Sequence, residues 1–260
     1  MPARHRKQSA SAPPGYFAWE AAGLHWLAEG TGRDGSGAAV VEVLEQGPQH
    51  LDLALLSSAP PSVQAAERLG RGLAVTHAAG AVAHGCGPPG WEGDGWLGPL
   101  SEPLPLALGA WDEWGPFYAR ARIAPLLREA RDRGVLEAAQ AAVLERLAAR
   151  VADGAFDTGE APARVHGDLW SGNILWTAQG AVLIDPAAHG GHREADLAML
   201  ALFGAPHLER VLAAYDEAAP LAQGWRDRVA LHQVHPVLLH AVLFGGSYAA
   251  QAVRAARHYV

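Results

Sequence analysis

The most informative stretch of the chain is Val165-His166-Gly167-Asp168-Leu169-Trp170-Ser171-Gly172-Asn173. An aspartate and an asparagine stand five residues apart in it, on a loop that contains glycine. Twelve residues after Asn173, at the end of an apolar stretch, comes a second aspartate, Asp185. A turn separates two short apolar runs between these points, which predicts a tight hairpin. Because a hairpin brings its two ends together, we expect Asp168, Asn173 and Asp185 to converge.

Three oxygen-bearing side chains in this arrangement suit phosphoryl transfer from a nucleotide. One carboxylate can orient the acceptor hydroxyl and take its proton, and Asp168 is the candidate catalytic residue. Magnesium takes hard oxygen ligands and keeps water and phosphate oxygens in its other positions, so Asn173 and Asp185 are the candidate metal ligands. Each aspartate alone is at least as well explained as a turn residue, but the spacings and the hairpin together favour a site.

Two nearby polar residues are expected to support this loop. His166 precedes a glycine, and we interpret it as a hydrogen-bonding brace for the loop and not as a general base. Asp196 lies in a predicted helix further along the chain. A buried carboxylate at that position can accept backbone N–H bonds from the loop and hold its shape.

The composition narrows the class of protein. With 260 residues, the chain is one large domain or two small ones. Half of the residues are hydrophobic and the formal net charge is −7, which argues against nucleic acid as a partner. No run of about 18 apolar residues is present, so no membrane span is expected. Cys86 is the only cysteine, and a reducing cytoplasm is the expected setting.

The hydrophobic pattern predicts a small mixed N-terminal lobe followed by a larger, mainly helical one. In the first lobe we expect a helix over residues 17–28 and an antiparallel pair of strands over 38–44 and 51–56. Residues 57–62, rich in serine and proline, are the linker candidate. The helices expected in the larger lobe cover residues 63–78, 117–131, 135–151, 194–202, 207–218 and 225–258, the last interrupted at Pro236 and at Gly245-Gly246.

At these residues the chain closely resembles the fructosamine kinase (ketosamine 3-kinase) family, within the protein-kinase-like superfamily of small-molecule phosphotransferases. The stretches that carry the resemblance are residues 166–173, 185–187 and 191–200, with weaker support from 17–24, 111–122 and 243–246. The continuation Trp170-Ser171-Gly172 separates this family from the aminoglycoside phosphotransferases. The likeness extends over most of the chain from about Arg6 onward.

The resemblance implies an α+β, bilobal, protein-kinase-like fold that uses ATP and Mg²⁺. Residues 1–58 would form a truncated, β-rich nucleotide-binding lobe, and residues 59–260 the helical lobe with the catalytic loop and metal site. Lys7 stands where the family's nucleotide-binding lysine lies, and Glu20 where its helix-borne partner lies. Such a pair would hold the ammonium against the α- and β-phosphates. Without the resemblance, residues 4–7 would be interpreted as solvated terminal charge and Glu20 as a solvated helix residue.

Two departures from the family pattern are visible. Family members carry two strands and a glycine-containing loop ahead of the lysine, whereas six residues precede Lys7 here. We expect either a start assigned too late or a shortened member, and a missing phosphate cover would weaken ATP binding and slow transfer. At the hinge, Leu56-Ser57-Ser58 replaces the usual acidic or aromatic residue. Backbone groups recognise adenine there, so Leu56 and Ser58 are kept as nucleotide-binding candidates.

The activity that the resemblance implies is phosphorylation of a sugar hydroxyl on ketosamines of the fructosamine or ribulosamine type. The ketosamine would be a small glycated amine or a glycated protein lysine, and deglycating repair would be the outcome. One alternative is a phosphotransferase for another small hydroxylated amine. Another is a non-catalytic pseudokinase that lacks the glycine-rich loop. Retention of Asp168, Asn173 and Asp185 argues against the pseudokinase, because a scaffold would not need all three.

Two further groups of residues have open interpretations. The tryptophans at 91, 96, 111 and 114 lie in or beside an irregular segment, residues 80–109, of the kind that borders sites. They line an acceptor pocket or belong to the core, and for Trp111 and Trp114 we favour the core. His232, His235 and His240 are separated by steps of three and five, which do not share one helix face. We therefore favour ordinary packing over a metal site for these histidines.

Overall fold

The smaller lobe is a three-stranded antiparallel sheet packed against one helix. In the computed structural model, which describes residues 3–32 and 35–260, its elements are β1 (Arg4–Gln8), α1 (Tyr16–Glu29), β2 (Ala39–Val40), β3 (Val43–Gly47) and β4 (His50–Ala54). The sheet order is β1–β4–β3. A buried cluster that contains Phe17, Leu24 and Leu51 joins this sheet to α1.

The larger lobe is mainly helical. Its elements are α2 (Val63–Ala78), β5 (Gly95–Leu97), β6 (Leu104–Leu106), α3 (Trp114–Phe117), α4 (Ala124–Asp132), α5 (Ala138–Ala152), β7 (Ala163–Val165), β8 (Ile174–Thr177), β9 (Gly180–Leu183), β10 (His189–Gly191), α6 (Arg193–Leu202), α7 (Leu208–Ala218), α8 (Trp225–Phe244) and α9 (Tyr248–Arg257). A π-helical turn (Tyr118–Ile123) joins α3 to α4, and a 3₁₀ turn (Ser171–Asn173) precedes β8. No helix within the described ranges is long and apolar enough to cross a membrane.

The N-terminal basic cluster forms the edge strand β1, in which Arg4, His5 and Arg6 are exposed, as expected of solvated charge, whereas Lys7 is partly buried. β1 pairs antiparallel with β4, with Arg6 opposite Asp52. The buried carboxylate of Asp52 accepts hydrogen bonds from Arg4 (2.6 Å) and from Arg6 (2.6 and 2.7 Å). The hydrogen bond from Arg6 is the main reason that the pKa of Asp52 lies below its usual value. The charged residues of this segment therefore hold a strand at the sheet edge.

The strand predicted over residues 38–44 is two strands in different sheets. β3 pairs antiparallel with β4, as predicted for that part. β2 pairs in parallel with β9 of the larger lobe, with Ala39 opposite Val182. The chain changes sheets between them, where the N–H of Val41 donates to the backbone oxygen of Leu183 (3.0 Å). The smaller lobe is thus hydrogen-bonded directly to the hairpin that carries the predicted site.

The predicted hairpin is confirmed. β8 and β9 pair antiparallel from Ile174 opposite Leu183 to Thr177 opposite Gly180. At its open end, the N–H of Ile184 donates to the backbone oxygen of Asn173 (3.1 Å). β7, which leads into the catalytic loop, pairs antiparallel with β10. These two strand pairs bring the loop after β7 and the chain after β9 to one place.

The helix predicted over residues 117–131 begins earlier and contains the π-helical turn. Pro125 has no N–H to donate to the backbone oxygen of Ala121, four residues before it. Nη1 of Arg122 donates to that oxygen instead (3.0 Å). The proline therefore explains why regular helical bonding fails here and why a buried arginine turns back onto the helix.

The interruption expected at Pro236 is wrong, because α8 continues through it. Pro236 cannot donate to the backbone oxygen of His232, which would leave that buried group unpaired. The hydroxyl of Tyr118 lies 3.2 Å from this oxygen and 2.8 Å from that of Leu231. A hydrogen-bonding tyrosine from another helix therefore permits proline inside α8. The expected break at the two glycines is confirmed, since α8 ends at Phe244.

Candidate active site

A cleft of about 330 Å³ lies between the two lobes. Its walls come from β1 and α1, from the segment after β5, from the loop after β7, from the end of the hairpin and from the C-terminal part of α8. Five of the residues predicted for the site line this cleft together, and they are Lys7, Glu20, Asp168, Asn173 and Asp185.

Asp168 and Asn173 are joined directly on the catalytic loop. Nδ2 of Asn173 donates to Oδ2 of Asp168 (3.0 Å) and to its backbone oxygen (2.8 Å). A longer hydrogen bond (3.4 Å) reaches the backbone oxygen of Asp185. Gly167 has a φ of 82°, and a Cβ there would collide with the backbone oxygen of Ala187, so the loop requires glycine at this point. Through its hydrogen bonds to Asp168 and Asp185, Asn173 joins the catalytic loop to both ends of the hairpin.

The environment of Asp168 favours proton transfer near neutral pH. Burial raises the pKa of Asp168 to about 7, against the opposing effect of the hydrogen bond from Asn173. A carboxyl group whose pKa lies near the working pH exchanges protons efficiently. This environment suits the predicted role of Asp168 as the base for an acceptor hydroxyl.

Asp185 stands immediately beyond the hairpin in an uncommon backbone conformation. Its φ is 54°, a value that few residues other than glycine adopt, and such residues concentrate at functional sites. Its side chain is 41% exposed, and Oδ1 lies 3.1 Å from Nζ of Lys7. The carboxylate therefore faces the cleft from the larger lobe and meets a cation from the smaller one.

Lys7 and Glu20 form the ion pair that the resemblance implied. Nζ of Lys7 donates to Oε1 (2.8 Å) and Oε2 (2.7 Å) of Glu20, whose side chain is buried on α1. Burial alone would lower the pKa of Lys7, but the carboxylates of Glu20 and Asp185 outweigh it and raise the pKa. Lys7 therefore stays charged at neutral pH. It is also the only lysine in the chain.

Asp196 and His166 hold the catalytic loop from behind. The carboxylate of Asp196, 1% exposed, accepts hydrogen bonds from the N–H groups of His166 (2.7 Å) and Gly167 (3.0 Å). His166 bridges two segments, because Nδ1 accepts from the N–H of Asp168 (3.3 Å) and Nε2 donates to the backbone oxygen of Ile184 (2.9 Å). The contacts are those expected of a buried carboxylate and a brace. The catalytic importance of both residues stays a prediction.

The donor atoms in the cleft fit a magnesium ion. Because Nδ2 of Asn173 is directed to Asp168, Oδ1 is the amide atom that remains for a cation. Asp185 offers a partly exposed carboxylate on the same side of the cleft. Amide and carboxylate oxygens are the hard donors that magnesium prefers. Asn173 and Asp185 are the residues that would hold the ion.

The structure does not bring the hinge candidates into the cleft. Leu56 packs at the edge of the small-lobe cluster, and Ser58 forms an isolated β-bridge with Thr177 of the hairpin. Neither is among the residues that line the cleft. Their part in nucleotide binding therefore stays a prediction, carried by the resemblance alone.

The tryptophans divide between the cleft and the core. Trp96, on β5, lines the cleft, whereas Trp114 is 2% exposed and belongs to the core of the larger lobe, as favoured from the sequence. Trp91 and Trp111 are partly buried against that core. The segment over residues 80–109 is irregular apart from the two short strands β5 and β6, which pair antiparallel.

Sequence reasoning did not single out several aromatic residues of the cleft. Tyr16 and Trp19 line it together with Phe244 of α8. Trp170 and His240 line it as well, and the sequence had singled out both, Trp170 as part of the resemblance and His240 as one of three histidines near the C-terminus. The others come from distant parts of the chain, and no local pattern connects them.

Comparison with known proteins gives the family. The family model described as fructosamine kinase matches residues 6–260. The chain belongs to this family. A protein of Synechocystis sp. named as a probable ketoamine kinase is 36% identical over 187 residues, which are 71% of this chain and 59% of that protein. A crystal structure from Thermobifida fusca that carries the name fructosamine-3-kinase is 46% identical and superimposes with a TM-score of 0.87, covering 98% of this chain and 84% of that one.

More distant structures show how far the fold of this fructosamine kinase family member is shared. The macrolide 2′-phosphotransferase MphH of Brachybacterium faecium is 17% identical, with a TM-score of 0.55 over 97% of this chain and 83% of that one. The protein-kinase-like, α+β, bilobal fold expected from the sequence is therefore confirmed. The chain spans 59%, 54% and 57% of the lengths of three bacterial ketoamine kinase relatives.

Proposed function

We propose that this chain is an ATP-dependent kinase that phosphorylates a sugar hydroxyl of ketosamines of the fructosamine or ribulosamine type. The observation that carries the proposal is the convergence of Asp168, Asn173, Asp185 and the Lys7–Glu20 pair on one cleft. The ketoamine kinase names of relatives support the substrate class. The acceptor is a small glycated amine or a glycated protein lysine.

The residues of the cleft divide the reaction between them. Asp168 orients the acceptor hydroxyl and takes its proton as the bond to phosphorus forms. Lys7, held by Glu20, binds the α- and β-phosphates of ATP as a fixed cation. Asn173 and Asp185 would hold magnesium, which when bound neutralises charge that develops on the phosphate oxygens. Asp196 and His166 keep the loop that carries Asp168 in one conformation.

The test is phosphoryl transfer by the purified protein. With ATP, magnesium and an amine bearing a fructosyl group, we expect release of ADP and a phosphorylated ketosamine detectable by mass spectrometry. Asp168→Ala should abolish both signals. Asp132→Ala, at an exposed aspartate that does not line the cleft, is the matched control and should keep them.

Three other outcomes would change the proposal. Turnover of other hydroxylated amines in preference to ketosamines would retain the kinase and replace its substrate. Binding of ATP without turnover of any acceptor would favour a pseudokinase. Failure to bind ATP would refute the nucleotide-binding assignment of this cleft.

The single lysine allows a second, independent test of the nucleotide site. Reductive methylation modifies the neutral amine form of lysine side chains, and Lys7 is the only lysine side chain available to it. If Lys7 contacts the phosphates, ATP should slow its methylation severalfold, as measured by peptide mass spectrometry. Equal labelling with and without ATP would remove Lys7 from the site.

A further inference from the structure

A second, smaller cavity of about 50 Å³ adjoins the cleft behind Asp168. Leu97, Asp168 and Leu239 line both spaces, so the cavity continues the cleft on the far side of the catalytic aspartate. A buried water needs roughly 10–15 Å³ of such space, which gives room for about three to five groups of that size. The polar residues on its remaining wall include Arg122, His189 and His235.

Arg122 is a buried cation with an unsatisfied donor. Its side chain belongs to the π-helical turn and is 3% exposed. Nη1 donates to the backbone oxygens of Ala107 (2.8 Å) and Ala121 (3.0 Å), and the guanidinium packs over the ring of Phe117 (4.6 Å). Nη2 is buried and has no hydrogen-bond partner. Burying an unpaired polar group costs stability, so a ligand that accepts from Arg122 would recover that cost.

His189 supplies a hydrogen-bond acceptor on the same cavity, in contrast to the donor of Arg122. Its Nδ1 lies 2.8 Å from the backbone oxygen of Ala187. Because a carbonyl oxygen only accepts, Nδ1 carries the proton and Nε2 is an acceptor. Burial lowers the pKa of His189 to about 3 and also lowers that of His235, so both rings are neutral at pH 7. The cavity therefore combines a strong donor with a neutral acceptor.

A hydroxyl group matches this combination better than an anion does. It can accept a hydrogen bond from Arg122 and donate one to His189. A carboxylate has no proton to donate at neutral pH, and a carboxylate or a phosphate would be repelled by the carboxylate of Asp168 on the same cavity. The small volume admits the end of a polyhydroxyl chain but no second ring.

We propose that this cavity binds the hydroxyl-bearing end of the acceptor sugar, beside the hydroxyl that Asp168 serves, and that Arg122 determines specificity for it. The inference deepens the proposed function, because it names the part of the acceptor that the site recognises. Arg122 binds substrate in this account and takes no part in moving the proton.

Binding of two matched ligands tests the proposal without turnover. One is an amine that carries a fructosyl group, and the other is the same amine with an acetonyl group, which keeps the ketone and lacks the hydroxyls. By calorimetry, wild-type protein should bind the fructosyl ligand at least tenfold more tightly. Arg122→Gln should lose most of that preference while affinity for the acetonyl ligand stays unchanged. Hydrogen bonds to a charged group support an effect of about ten- to hundredfold.

Two further variants separate recognition from folding. Arg150→Gln is the matched control, because Arg150 also donates to a backbone oxygen (Tyr259, 2.6 Å) and packs over an aromatic ring (Phe156, 5.3 Å) but lies outside both cavities. It should keep the full preference. If Arg122→Gln does not fold, Arg122→Lys carries the same test, since it keeps the charge and loses the forked donors.

The outcomes distinguish this inference from the proposed function. Equal affinity of the wild-type protein for the two ligands, or absence of binding to both, overturns the subsite. Loss of affinity for both ligands in the Arg122 variants gives that residue a structural role only. A normal preference in a protein that transfers no phosphate would support the subsite and refute the kinase activity.

Discussion

The two walls of the cleft differ in how their polar groups are fixed. The loop side is the wall on the larger lobe, with the catalytic loop after β7, and the strand side is the wall on the smaller lobe, with β1 and α1. On the loop side, the backbone itself is held, because Asp196 accepts two N–H groups from deep inside the larger lobe. On the strand side, the ammonium of Lys7 is placed by ion pairs with Glu20 and Asp185, and the neighbouring arginine, Arg6, is 43% exposed. On the loop side a buried side chain holds the backbone that carries the functional group, and on the strand side charges hold the functional side chain itself.

This difference separates two kinds of substitution. Removing a group that holds the catalytic loop should disturb folding and catalysis together, since buried backbone groups lose their partners. Removing Lys7 on the strand side should weaken nucleotide binding at a smaller cost in stability, because the buried carboxylate of Glu20, whose pKa burial already raises, can then take up a proton and need not stay charged. The following experiments test this division, in order of decreasing expected effect.

Asp168→Asn should have the largest effect, and only on chemistry. Loss of the proton acceptor is expected to lower kcat by about 10³-fold, while the dissociation constant for ATP stays within about threefold. ADP release and calorimetry measure the two quantities. A variant with more than a tenth of wild-type kcat would exclude Asp168 as the base.

Asp196→Asn should reduce stability and activity together. Asparagine offers one acceptor oxygen, and its NH₂ group would face a backbone N–H that the carboxylate now accepts. We expect a loss of about 2–3 kcal/mol in the free energy of unfolding, or roughly 5 °C in Tm, with a fall in kcat. Circular dichroism and the kinase assay check both. An unchanged Tm would contradict the division between the two walls.

Arg228→Met tests a second buried carboxylate on α6. Burial alone would raise the pKa of Glu194, but the adjacent ring of His232 and two hydrogen bonds from Arg228 outweigh it and lower the pKa to about 2. A depressed pKa gives stability that is complete above the unfolded value of about 4.3 and is lost as the pH falls towards 2. The variant should be about 2 kcal/mol less stable at pH 7, the scale of lost hydrogen bonds to a charged group.

The pH dependence provides the internal control for that variant. The difference in Tm between wild type and Arg228→Met should narrow steadily between pH 5 and pH 3, as Glu194 is protonated in the unfolded chain. A difference that stays constant over this range would show that Arg228 stabilises by packing and not by charge.

Lys7→Met should affect nucleotide binding and little else. Without the cation, we expect KM for ATP to rise about ten- to hundredfold, the scale of a lost charge-assisted hydrogen bond, with Tm within about 2 °C. Lys7→Arg keeps the charge but not the compact ammonium, and should recover only part of the affinity. A large fall in Tm for Lys7→Met would mean that the strand side also holds the fold.

Trp96→Ala should have the smallest effect. Trp96 lines the cleft on the irregular segment, and its removal is expected to raise the acceptor KM about three- to tenfold through lost apolar contact. Trp91→Ala is the matched control, because Trp91 packs against Trp19 and does not line the cleft. Equal effects of the two substitutions would assign both to packing.

Local signals in the sequence predicted the catalytic wall well. The loop, the hairpin and the second aspartate lie within 21 residues, so their spacing and the hairpin between them were enough to predict that Asp168, Asn173 and Asp185 converge. The buried helix α2 was equally predictable, because its apolar residues repeat with helical spacing and Ser62 caps it.

The remaining features depend on partners that are distant in the chain. β1 has no apolar alternation, and it is a strand because Asp52 pairs with two of its arginines. Proline inside α8 is tolerated because Tyr118, more than a hundred residues earlier, is near the backbone oxygen that Pro236 leaves without a donor. The two-residue strand β2 pairs with β9 across 143 positions, a contact that no local window of the sequence contains.

The parallel pair of β2 and β9 also limits how the protein can open. Its hydrogen bonds attach the smaller lobe to the hairpin a few residues from Asp185. A pure translation of one lobe away from the other would break these hydrogen bonds. Opening has to be a rotation about an axis close to this pair. Points near the axis travel least, so the distance from Lys7 to Asp185 would change less than the width of the cleft at its mouth.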